Sequence, residues 1–177
     1  MSPLRTNCRF PRLAGLVALA VSLNAGVPAA QGKSGPKSVD ACALVSKAEL
    51  ETALGRKVQP RKVPASTPAT LGVSVCMWAT LDGRRTLSVS TYAPEALQRT
   101  QTKTLQVYYD SLRTSNANNV GRPAQVLPGI ARHASYFAAP QGTSSTVLVN
   151  RRDCIVVMNL TGLSKEEATM VARSAGN

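Results

Sequence analysis

Acidic residues are scarce in this chain, aromatic residues are scarcer still, and histidine occurs once. Against 21 Lys and Arg there are 9 Asp and Glu, giving a formal charge of +12, and the 177 residues include one Trp, two Phe and four Tyr. So few rings exclude an extended stacking platform for sugars or single-stranded nucleic acid. One histidine, His133, leaves acid–base chemistry near neutrality with a single candidate of that type. The sequence holds no G-x-S-x-G nucleophile elbow, no glycine-rich phosphate loop and no close CxxC or CxH spacing for zinc. The few acids fall where local structure already uses them. Glu49, Glu51, Glu166 and Glu167 lie in predicted helix first turns, while Asp82, Asp110 and Asp153 sit at turns or on a solvated helix face. Nothing here calls for a pair of catalytic carboxylates.

A long apolar run is also missing, and its nearest approach is informative. Arg5, Arg9 and Arg12 form a cationic start, and an apolar stretch follows from Leu13 to Val27, broken by Gly15, Ser22, Asn24 and Gly26. It falls short of the ~20 residues that span a bilayer. Small residues close it at Pro28-Ala29-Ala30, with Val27 and Ala29 suited to a signal peptidase site. Residues 1–30 therefore read as a cleaved export signal, and 31–39 (QGKSGPKSV) as a flexible lead-in to one domain over 40–177. Cys8 precedes the apolar run and so does not fit a lipid-attachment site. The expected location is the periplasm or the exterior, with no transmembrane helix in the mature chain. Three basic residues leave with the signal, so the positive excess persists.

Cys42, Cys76 and Cys154 remain. In an oxidising compartment two are expected to pair, and three pairings are open. Cys42–Cys76 is favoured, because Cys154 opens an apolar strand where a buried free thiol is expected. No cofactor or metal is expected.

Along the chain, Ser46-Lys47-Ala48-Glu49 is a capping box, Val45 and Leu50 sit at staple positions, and Gly55 stops the helix. Arg56 to Val63 contains Pro60 and reads as an irregular edge strand. Alternation then predicts a strand over 73–81, a tight turn at Asp82-Gly83 and a partner strand over 86–92. Leu97, Gln101, Leu105, Tyr108 and Leu112 recur at helical spacing, so a helix is predicted over 94–114, followed by a loop over 115–125. Strands are predicted over 131–138, 145–150 and 154–160, the last apolar on both faces and so central. A second capping box, Ser164 to Glu167, opens a terminal helix. The expected fold is α+β: an antiparallel sheet of about five to six strands with helices packed on it, in the order α-βββ-α-βββ-α, open to a tandem αβββ duplication.

Cys42-Ala43-Leu44-Val45-Ser46, then Glu49 and Leu54-Gly55, then Cys76-Met77-Trp78 form a pattern. It resembles a broad group of exported bacterial domains with C-x-L-[LV]-[ST]-x-x-E-x-x-x-x-L-G followed by C-x-W, found in actinobacterial lipoproteins and proteobacterial counterparts. Pro128-Gly129 and Ala134 to Phe137 resemble that group's second half. The resemblance implies a paired Cys42 and Cys76 and an α+β envelope domain, and it implies no activity. The chain departs from the lipoprotein members in having no lipid-attachment cysteine.

Positive charge is the remaining feature with functional content. Arg84 and Arg85 follow one turn, and Arg151 and Arg152 precede Asp153 between two later strands. If the two hairpins lie parallel, these four gather at one end near Arg56, Lys57, Arg61 and Lys62, and would attract phosphates, lipid head groups or an acidic protein face. The function expected is a non-enzymatic binding or accessory module for an anionic envelope component or acidic protein. The alternatives are an inhibitor or immunity-type protein against a secreted enzyme and, third, a hydrolase using His133.

Overall fold

A computed structural model describes residues 39–61, 63, 72–100 and 102–177; the signal and nearly all of the lead-in lie outside it. Seven strands form one antiparallel sheet, β1 (Val58–Arg61), β2 (Val73–Thr80), β3 (Thr86–Tyr92), β4 (Gln125–Val126), β5 (His133–Ala138), β6 (Ser144–Asn150) and β7 (Ile155–Thr161). Their order is β1-β2-β3-β7-β6-β5-β4. The strand apolar on both sides, β7, is the middle one of the seven. Val156, Met158 and Leu160 serve one core and Ile155 and Val157 the other.

One face of the sheet carries α1 (Ala41–Leu44), α2 (Lys47–Leu54) and α4 (Lys165–Gly176). Both capping boxes form as their residues require: Ser46 Oγ accepts from the Glu49 amide and Ser164 Oγ from that of Glu167. The buried Val45, Leu50 and Leu54 then hold α2 down on Val58 and Leu87. The Cys42–Cys76 disulfide ties α1 to the second strand, with Cα atoms 5.1 Å apart. Two hydrogen bonds reinforce the tie, Ala41 N–H to Ser74 Oγ and Thr91 Oγ1–H to the Val39 carbonyl. The alternation expected in β2 holds, and its Cys76–Trp78 side is the one under these helices.

The other face carries α3 (Leu105–Val120), which buries Tyr109 with Phe137, Leu148 and Ile155. Three expectations are corrected here. The helix predicted over 94–114 is two elements: Pro94–Arg99 is a 3₁₀ turn, and α3 begins only at Leu105. The reason is local, since Thr104 caps the Val107 amide and starts a new helix. Helix α3 also consumes most of the predicted 115–125 loop, ending at Gly121 in the left-handed region. The sheet has seven strands, the extra one being the two-residue β4.

The duplication is corrected as well. The mirrored order β1-β2-β3 against β7-β6-β5 is what two αβββ halves would give. A two-fold axis relating antiparallel neighbours stands perpendicular to the sheet and keeps each helix on its own face. Helix α2 packs with Leu87 and Val89 on one side, whereas α3 packs with Ile155 and Leu148 on the other. The first helices of the two halves are therefore not equivalents.

Candidate functional site

Strand register decides where the arginine pairs lie. Strands β3 and β7 pair antiparallel from Thr86 opposite Thr161 to Tyr92 opposite Ile155. Arg84 and Arg85 precede β3, while Arg151 and Arg152 precede β7, so the pairs sit at opposite ends of the sheet. At ~3.4 Å per residue the ends are about 20 Å apart. The four arginines expected to gather do not gather. Lys62, expected beside them, lies outside the described residues.

At the first end two of the arginines are matched, while Arg84 is exposed and has no ion-pair partner among the described residues. Arg85 ion-pairs with Glu167 of α4, and Arg56 lies 3.6 Å from Asp82. Asp82 also accepts from Thr80 Oγ1 and the Arg84 amide, and the Thr80 bond above all holds its carboxyl below the usual carboxylate range. Gly162, at φ +74°, passes so close that a Cβ there would meet the Arg84 carbonyl at 2.8 Å. A shallow recess of about 250 Å³ at this end is lined by Arg56, Lys57, Thr80, Leu81 and Asp82.

The second end is open. A recess of about 550 Å³ is lined by Ala131, Arg132, Arg151, Arg152, Asp153 and the end of α4. Arg151 is fixed: its Nε donates to Asp153 Oδ1 at 3.1 Å and an Nη to the Ala175 carbonyl at 2.8 Å, answering the free carbonyls of the helix terminus. Arg132 and Arg152 are exposed and have no ion-pair partner among the described residues. The wall behind them is tight, since a Cβ on Gly176 would meet Ile130 Cγ2 at 2.8 Å. Ala131 is held at φ +47°, the one non-glycine in that region among the described residues. Two unpaired guanidiniums over a firm wall can take a phosphate or carboxylate by charge-assisted hydrogen bonds.

Arg132 was absent from the sequence expectation, although a signal for it exists. Consecutive strands β5 and β6 form a hairpin, so the start of one must lie beside the end of the other. The Arg132 amide indeed donates to the Asn150 carbonyl, next to Arg151.

His133 opens β5 and is exposed, its ring 6.2 Å from that of Tyr109 with planes at 30°. Ser135, on the same face of the strand, is buried and hydrogen-bonded to the Tyr109 hydroxyl at 2.8 Å. Cys154 is a buried free thiol whose pKa burial pushes up to about 12. With Cys42 and Cys76 bonded to each other, a site built from three cysteines and His133 has lost two of its ligands. Among the described residues no helix is long and apolar enough to cross a membrane. No family model, curated protein or solved structure matches the chain.

Proposed function

We propose that the protein is an exported, non-enzymatic binding module that engages phosphate or carboxylate groups of an anionic envelope component through Arg132 and Arg152. One observation carries this reading: two exposed arginines without ion-pair partners flank a recess whose third arginine, Arg151, is locked in place by Asp153 and α4. The excess of positive charge adds long-range attraction for such a partner. The cationic start, apolar run and small-residue close over residues 1–30 support delivery to the envelope.

The test is co-sedimentation with vesicles containing anionic lipid, against vesicles of neutral lipid, at low and high salt. Binding is expected only to the anionic vesicles, weakening as salt rises. The R132A/R152A protein should lose it and R84A should keep it. Binding indifferent to salt, or untouched by R132A/R152A, overturns the reading. Stoichiometric capture of one exported protein by R132A/R152A, with no vesicle binding by the parent, would replace it with the inhibitor reading.

A further inference from the structure

Arg132, in the bend before β5, lines the basic recess, while His133, the first residue of β5, lines a different one on the other side. This recess, of about 250 Å³, lies between α3 and the β4–β5 edge of the sheet. Its floor is fixed. Tyr109 is 3 % exposed, anchored through its hydroxyl to Ser135, and the His133 ring stacks over it.

Its walls carry two opposite charges that do not neutralise each other. Asp110 is positioned by a relay in which Asn150 donates to Gln106 at 2.8 Å and Gln106 donates to Asp110 Oδ2 at 3.0 Å. Arg113, one turn further along α3, lines the same recess and forms no ion pair with Asp110. Burial chiefly raises the pKa of the Tyr109 phenol, the Ser135 bond opposes it, and the two charges act more weakly, Arg113 lowering and Asp110 raising it. At the mouth, Val126 of the edge strand is 69 % exposed, an apolar side chain left in water beside aromatic rings.

An anchored carboxylate, a separate guanidinium and an apolar wall describe a ligand by complement. It must carry a cation and an anion close together, a short apolar group, and no more bulk than a recess of this size admits. We infer that the recess binds a single free α-amino acid with a small apolar side chain, its ammonium on Asp110, its carboxylate on Arg113 and its side chain against Val126 and the Tyr109–His133 pair. The basic recess, on the other side of the segment, plays no part in this.

Because His133 is the sole histidine, its imidazole gives one assignable NMR signal directly over the site. Titrating L-valine up to about 10 mM, a range suited to weak affinities, should move that signal saturably. N-acetylvaline, which lacks the ammonium, and valinamide, which lacks the carboxylate, should each bind at least ~10-fold more weakly, as expected for loss of a charge-assisted hydrogen bond. D110N and R113Q, checked for folding by circular dichroism, should show losses of similar size, whereas R132A/R152A should bind valine normally. No shift with valine, leucine or alanine overturns the inference. So does equal binding of valine and N-acetylvaline, which would make the recess a simple carboxylate site. The comparison of analogues on the parent protein decides the matter even if both α3 variants unfold.

Discussion

The two ends of the sheet begin from the same short device, an Asp beside an Arg-Arg pair at a hairpin tip, and arrive at different surfaces. Around Asp82-Gly83-Arg84-Arg85, the N-terminal part of α4 supplies Glu167 to Arg85 and the α2–β1 connection supplies Arg56 to Asp82. Around Arg151-Arg152-Asp153, the C-terminal part of α4 supplies the Ala175 carbonyl, to which Arg151 donates. A single helix thus presents a carboxylate at one end of the sheet and a helix terminus at the other. At the first end Arg85 and Arg56 are taken up by these acids, and Arg84 alone of the pair stays exposed. The second keeps Arg132 and Arg152 for something else. A pair of basic residues therefore says little about binding until its neighbours across the fold are known.

The comparison presumes that α1, α2 and the sheet form one scaffold, and the disulfide is the way to break that. Replacing Cys42 and Cys76 by Ser should lower the unfolding free energy by about 4 kcal/mol, from the entropy of a closed loop of some 35 residues. Chemical denaturation would check it, and a loss below about 1 kcal/mol would show that α1 docks without the bridge.

Cys154 offers a sharper probe of the Arg151 end, because it lies buried at the base of that hairpin. Its folded pKa, about 12, stands above the ordinary value of 9.0, chiefly through burial. A raised acid favours folding fully below pH 9, and the contribution is lost as the pH climbs from 9 towards 12, because only the unfolded thiol then releases its proton. The alkaline limb of a stability–pH curve should therefore be steep in the parent and flatter in C154A. Identical slopes would show that Cys154 does not stay protonated in the folded protein over that range.

Smaller effects separate the arginines within each pair. R85A strands Glu167 and R151A strands the Ala175 carbonyl, so each should cost about 1–3 kcal/mol. R84A and R152A, on exposed side chains, should stay within about 0.5 kcal/mol of the parent. Thermal melts of the four variants read this directly, and R152A as damaging as R151A would mean that Arg152 also holds the hairpin together.

Much of the fold was legible because it depends on neighbours in sequence. The two capping boxes, the Gly55 stop, the 86–92 strand and the central character of β7 all came from spacing and residue type. The break between Arg99 and Leu105 was not legible, since Leu97 and Leu105 keep a helical period across it while the Thr104 cap restarts the helix. Strand β4 was too short to carry a period. Of the candidate site, Arg151 and Arg152 were visible as a pair, but Arg132 required the β5–β6 hairpin to bring it beside them.

By itself the sequence determined which segments become helix or strand and which charges stand in pairs, because capping, alternation and turn chemistry act over a few residues. Only the tertiary structure decided which ends of those segments meet. Antiparallel register between β3 and β7, nearly seventy residues apart in the chain, sent one arginine pair to each end of the sheet. That antiparallel pairing is a long-range condition that no local pattern around Arg84 or Arg151 encodes.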